Sequence, residues 1–527
     1  MKNENDNANS NISLDDLYGH LKVIDTGIIR RFKKPDISDY EYIFCGLLSD
    51  LVSNTQSLLI NKISANINSI GVDNNCKKII ETICILKMLG EGKISLGKAK
   101  LYRYLYPFNN EDNVRTILSN EDKSGKVYNS LASAKKKSLD TIKEVFKWDD
   151  ETAKKRVAET NCFYGYLKDR VSDDIDMNKL LEETPVYDEM NNRTYLFFTS
   201  SIHPGFDENE ELKEKYNELR NKNIDIVIDY VMKYLAENGL IVYNKEVISF
   251  SQDFINNPFF RNHIESASWI NGAFEYIKEN FTTINGKKDS YAYDFFVKLN
   301  SLCLDMFFCQ SLGLGEQVLN KFASFSQLTS VNYFINSSDD TKKELFKKAL
   351  SVNSRLKLNN YLNEISGAPN FAYQNDLNAI YESYYKDKYS LSLDELVSKM
   401  KEKPYFFIDK DNNDDLSLVA SMISGLYVSE KNANSFLTIY EITTDLAHSS
   451  RYNFESGQIL MDLLSQKAMQ VVYEYIIELL RFLEKKFAQR GVKVNSSVAI
   501  DIFKDFAKNE DVLIKEDVKY IINNFKD

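Results

Sequence analysis

Glycine and proline are scarce in this chain, 19 and 7 of 527 residues, well under the roughly 7% and 5% of ordinary usage. A turn-rich all-β architecture needs both and is excluded. Histidine numbers four and tryptophan two, and the six cysteines (Cys45, Cys76, Cys84, Cys162, Cys303, Cys309) form no Cys-x-x-Cys pair. That spacing offers neither a zinc site nor a disulfide framework, so the thiols read as small buried hydrophobes and no metal or cofactor is expected. Nowhere do eighteen apolar residues run uninterrupted. The stretch 468–482 reads as the most apolar helix, and Glu474 and Glu478 break it; no membrane span is expected. Residues 1–14 are rich in Asn and Asp and lack the basic start and apolar centre of a secretory signal. They read as a disordered tail on a cytoplasmic protein.

What is present is a globular balance, 43% hydrophobic and 27% charged, which excludes disorder of the whole chain. Lys and Arg total 66 against 77 Asp and Glu, a formal net charge of −11. Whole-surface attraction to nucleic acid is therefore not expected, because non-specific affinity comes from neutralising phosphates, and only a local basic patch could hold RNA.

Apolar residues between 39 and 59 recur at helical spacing: Tyr40, Phe44, Leu47, Leu48, Leu51 and Leu58. A second segment overlays the first at an offset of 251 residues, Tyr40 on Tyr291, Tyr42 on Tyr293, Phe44 on Phe295, Leu48 on Leu299 and Leu51 on Leu302. The stretch 79–86 pairs with 325–335 at an offset of 246, with Gln327 where Glu81 lies. Two short helices that stop before Pro185 and Pro404 make a third match. The sharpest is the fourth. Tyr195, Thr199 and His203 share their spacing with Tyr440, Thr444 and His448, at an offset of 245. Four elements kept in order point to an internal duplication.

The expected fold is all-α: two tandem related helical bundles with helical insertions and a small central β element. The tail covers 1–14, the first module 15–237, a linker with a small hairpin and a helix 238–284, and the second module 285–527. The hairpin is expected from 240–243 pairing with 247–250.

In each Tyr-x3-Thr-x3-His motif the three side chains fall one turn apart on one helix face. Such a group suits proton transfer or anion binding, the imidazole titrating near about 6.5 and the phenol serving as its hydrogen-bond partner. The same residues also suit a buried polar network that closes a helix end without any substrate.

The longer pattern, Tyr-x-x-(apolar or Thr)-(Ser/Thr)-x-x-(apolar)-His after a helix carrying Lys78 and Glu81, resembles uncharacterised bacterial all-helical domains with a Tyr-x-x-Leu-Ser-x-x-Val-His signature. These look distantly like the HEPN superfamily of helical bundles, many of which cleave or bind RNA in toxin–antitoxin and phage-defence systems. In the second copy Gln327 replaces Glu81 and Thr443 the usual apolar residue. The family's ribonuclease signature, Arg four to six residues before His, is absent: Arg193 lies ten before His203, and Arg451 follows His448. HEPN-like bundles often dimerise around two histidines, so the resemblance implies that His203 and His448 face each other across a pseudo-two-fold axis. They would then act as base and acid on an RNA phosphate, with Arg451 and a nearby Lys stabilising charge and no metal involved. The partner implied is RNA, a nucleotide or another protein. A reading of a different class is a helical scaffold whose Tyr, Thr and His are structural.

Residues 92–99 fit Gly-x4-Gly-Lys, but Ala99 stands where a phosphate loop needs Ser or Thr. The basic runs at 30–34, 135–137 and 154–156 read as solvated helix faces.

Overall fold

The computed structural model describes residues 13–64, 66, 69–92, 103, 114–116, 122–123, 125–159, 194–195, 197–198, 209–241, 258–284, 287–338, 340–363, 371–402, 415–427, 430–448 and 457–524. Helices make the fold. In the first half α1 spans Leu14–Phe32, α2 Asp39–Ile63, α3 Ile70–Gly90, α4 Lys126–Phe146, α5 Asp150–Glu159 and α6 Glu210–Glu237. There follow α7 (Pro258–Phe281), α8 (Ser290–Ser311), α9 (Gly315–Ser337), α10 (Asp340–Leu362), α11 (Gln374–Ile380), a π-helical turn Tyr381–Tyr385 and α12 (Lys386–Tyr389). The last are α13 (Leu393–Glu402), α14 (Asp415–Leu426), α15 (Glu430–His448), α16 (Gly457–Gln489) and α17 (Ser497–Asn524). The β structure among the described residues is a two-residue antiparallel ladder, Thr283–Ile284 with Lys287–Lys288. Of the expected hairpin, 242–250 lies outside the described residues.

The helices start where short polar side chains can accept their orphan N–H groups. Ser13 caps α1, whose first turn carries Asp15 and Asp16 and whose last carries Arg30 and Arg31, both favourable to the helix dipole. Ser38 and Glu41 form a reciprocal capping box at α2, and Asp289 caps α8 by accepting from the Ala292 N–H at 3.1 Å. These two caps stand 251 residues apart, the same offset as the apolar positions behind them.

α1 lies on α2, α2 on α3 and α3 on α6, while α7 lies on α8, α8 on α9 and α9 on α16. Two apolar cores result. One gathers α1–α3, α6 and Tyr195, Phe197 and Phe198, the other α7–α9 and α13–α17. α10 serves both, giving Phe346 and Leu350 to the second core and Leu358, Tyr361 and Leu362 to the first. Each buried Leu, Ile or Phe contributes about 1.5–3 kcal/mol. α2 is buried nearly all round. By length and composition it could cross a membrane, with a mean hydropathy of 1.3 in its best window, yet 83% of that window is buried inside the protein. Among the described residues α2, rather than 468–482, is thus the helix that comes nearest a membrane span in composition.

The two halves meet where α2 and α3 face α8 and α9, and this seam is polar. Asp305, fully buried on α8, accepts from Asn61 Nδ2 at 2.6 Å and from Ser69 Oγ at 2.7 Å, and pairs with Lys321 Nζ of α9 at 3.2 Å. Lys321 also donates to Ser57 Oγ at 2.8 Å, and Ser57 in turn accepts from Asn75 at 2.6 Å. Around this centre Gln317 bonds Ser53, Asn74 bonds Ser324, and Ser301 bonds Asn66.

Gly71 admits this arrangement. A Cβ there would lie 2.5 Å from Asp305 Oδ2 and 2.9 Å from Lys321 Cγ. Gly71→Ala is expected to lower stability by about 1–3 kcal/mol, as overpacking does. Gly27→Ala, on α1 with nothing within 4 Å of the new Cβ, is expected to raise it by about 0.5–1 kcal/mol. Denaturant unfolding of both variants checks the contrast.

Candidate functional site

Tyr195 and Tyr440 lie among the described residues. Thr444 and His448 sit on α15, whose backbone is described through His448, while their side chains fall outside the described residues. Thr199, His203 and Arg451 lie outside them altogether. α15 is continuous through Tyr440, Thr444 and His448.

Tyr195 is buried at 7% exposure, and its hydroxyl donates to Glu81 Oε1 of α3 at 2.9 Å. Two residues singled out by the sequence pattern, Tyr195 and Glu81, are thereby brought together. Beside them Phe197 stacks on Tyr216 of α6 at 5.4 Å and meets the edge of Tyr361 of α10 at 5.2 Å. The segment is wedged between α3, α6 and α10. A phenol has one proton to donate. With that proton donated to Glu81, Tyr195 can offer an imidazole only its lone pairs, and the bond ties Tyr195 to α3. Lys78, one turn before Glu81, is pulled below its ordinary pKa by burial, an effect opposed by Glu316, Asp50 and Glu81.

In the second half Tyr440 is buried at 3% exposure, and the Thr443 hydroxyl bonds back to the Tyr440 carbonyl at 2.8 Å. A Thr in place of the usual apolar residue thus satisfies itself within the helix. α15 packs on α9, the helix that carries Gln327.

His20 is buried on α1 and drawn below its ordinary pKa by burial, with Asp16 opposing; His263 lies against Phe307 at 5.7 Å. Cys45, Cys76, Cys84, Cys303 and Cys309 are buried thiols in no disulfide among the described residues, and burial pushes the Cys303 thiol up to about 12, far from thiolate chemistry at neutral pH. Cys162 and residues 93–99 of the glycine-lysine stretch lie outside the described residues. Among the described residues no group of three or more His, Cys, Asp or Glu is placed to hold a metal.

Sequence spacing missed two charged constellations. One ties α3 to α6: Arg220 Nε pairs with Asp73 at 2.7 Å, the Arg220 guanidinium also reaches the Ser69 carbonyl, and Tyr216 donates to Asp73 at 3.3 Å. Nearby Lys298 is lowered to about 8 by burial against the opposing pull of Asp294. The other is a recess between the ends of α7, α8, α9, α10 and α16, lined by Lys343, Lys486, Arg490 and Asn332 over an aromatic floor. Its signal was two pairs of cations at i, i+4, Lys343 with Lys347 and Lys486 with Arg490. Nothing in the spacing says that these two pairs converge.

Compared with protein-family models, with curated proteins and with solved structures, the chain finds no match.

Tyr195→Phe removes the Tyr195 donor from Glu81 and is expected to cost about 1.5–3 kcal/mol, as for a hydrogen bond to a charged group. The same substitution in a Glu81→Gln background is expected to cost less. A double-mutant cycle by denaturant unfolding measures the difference.

Proposed function

We propose that the chain is a duplicated helical module whose two copies pair within one molecule, distantly HEPN-like, and that it acts as an intracellular defence or toxin-type effector binding RNA at its paired histidine motifs. The observation that carries this reading is the seam: α2 and α3 dock on α8 and α9, and the docked helices are those that match at offsets of 251 and 246. In HEPN-like bundles two copies pair in trans to bring two histidines to one site. A tandem chain supplies the pair in cis.

On this reading the fixed element behind each histidine is its tyrosine, Tyr195 held by Glu81 and Tyr440 in the second core. His203 and His448 then carry the chemistry. One imidazole takes the proton of the 2′-hydroxyl as its oxygen attacks the adjacent phosphorus, and the other protonates the departing 5′-oxygen, while Arg451 offsets the charge that develops on the phosphate. Thr199 and Thr444, one turn before each histidine, orient the rings.

A second reading is supported by the Tyr195–Glu81 bond itself. A phenol spent on a carboxylate of its own fold suits a scaffold, in which the motif only locks a helix in place.

The two readings part on one experiment. The wild type and His203→Ala/His448→Ala are expressed in a bacterial host, with growth, phage resistance and RNA integrity scored. The effector reading expects the double variant to lose RNA cleavage by about 10²–10⁴-fold, the range for removing acid–base catalysis. Unchanged phenotypes at equal protein level decide for the scaffold.

A further inference from the structure

α17 packs along α16 and also meets α7 and α4. Its inward stripe is apolar: Ala499, Phe503, Ala507, Ile514 and Val518 all belong to the second core. Phe503 meets the edge of Phe274 of α7 at 5.5 Å and stacks on Tyr473 of α16 at 6.1 Å. One carboxylate stands in that stripe. Glu510 comes between Ala507 and Ile514 at the helical spacing of the buried positions, and it is 6% exposed.

The helices around Glu510 leave its charge unanswered. α8 supplies a neutral donor, the Gln310 amide, whose Nε2 lies 2.8 Å from Glu510 Oε2. α16 supplies Tyr473, which is 0% exposed, lies within electrostatic range of Glu510 and Cys303, and has a hydroxyl without a hydrogen-bond partner. α7 brings His263 against Phe307 of α8 at 5.7 Å, and Phe307 meets Phe506 of α17 at 6.3 Å. No cation of α4, α7, α8 or α16 acts on Glu510 among the described residues. Burial is what moves this carboxyl: it is raised from 4.5 to about 7, with the Gln310 bond opposing.

Further along the same interface Asp462 of α16 faces Asp517 of α17, whose Oδ2 accepts from Gln466 at 2.7 Å. Burial and Asp517 raise Asp462 to about 6. Asp462 also lies beside Gly315 at the start of α9, where the helix dipole favours its charged form. The stronger proton dependence of the interface therefore rests on Glu510.

We propose that α17 is a proton-controlled latch, docked while Glu510 carries a proton and loosened from α16 and α8 as that proton leaves. The docked helix binds the proton more tightly than the open one, in which Glu510 meets water. Docking is therefore strongest at acid pH, weakens as pH rises from 4.5 to about 7, and levels off above that. Opening uncovers Tyr473 and the apolar stripe of α17. It also frees Gln310, the neighbour of Cys309, whose thiol lies 3.7 Å from Asp305, so the latch bears on α8 beside the seam.

The test is amide hydrogen exchange of the full chain across this range, with protection taken relative to the unstructured rate at each pH. Between about pH 5 and about pH 8 the amides of α17 are expected to lose protection by roughly 10²-fold, the ratio that linkage gives for such a carboxyl. Glu510→Gln, neutral throughout, is expected to keep its acid-side protection at about pH 8 to within tenfold. Gln310→Leu removes the donor that favours the charged form and is expected to move the midpoint of the loss to higher pH. Protection of α17 that does not change with pH in the wild type, an equal loss in Glu510→Gln, or an unmoved midpoint in Gln310→Leu overturns the proposal.

Discussion

A carboxylate taken out of water loses hydration worth several kcal/mol even after the protein relaxes around it, and Asp305 is 0% exposed. What replaces that water comes from both ends of the chain: Lys321 from its own half, Asn61 and Ser69 from the other. Neither half alone can satisfy the group. Docking of α2 and α3 on α8 and α9 and the accommodation of Asp305 are therefore one event. An apolar seam would tolerate sliding, whereas short directed bonds to one carboxylate fix a single register, the use for which buried polar groups are best attested.

Much else in the molecule answers to this constraint. Gly71 is bare because Asp305 and Lys321 occupy the space of its side chain. Ser69 both caps α3 through the Gly71 N–H and donates to Asp305, so the start of α3 is set by the seam. Further along α3, Asp73 holds Arg220 of α6 and Glu81 holds Tyr195. The helix that docks the two halves is thus also the helix that positions the first tyrosine of the repeated motif. Any function carried by that motif depends on α3, and through α3 on the seam.

The helices were legible because their apolar residues repeat every third or fourth position and their starts carry Ser13, Ser38 and Asp289. The offset of 251 was legible too, and the caps of α2 and α8 keep it. The seam was not. Ser53, Ser57 and Asn61 recur at i, i+4 along α2, but in an apolar helix such residues read as tolerated polar neighbours until a partner is seen. Asp305 and Lys321 were two charges among many. Of the candidate site, the pattern named Tyr195 and Glu81 without foreseeing their bond, since 114 residues separate them. It passed over the cations of α10 and α16 because each helix alone shows an ordinary solvated face.

The seam is tested most directly by removing its ion pair in two steps and following global unfolding in denaturant. Lys321→Met leaves Asp305 buried without its cation and is predicted to cost about 3–5 kcal/mol. Adding Asp305→Asn removes the unbalanced charge and is predicted to recover more than about 1 kcal/mol of that loss, a coupling well outside the roughly 0.3–0.5 kcal/mol scatter of independent sites. Additive losses in the two variants would contradict the account, because the halves would then be held together by something other than this pair.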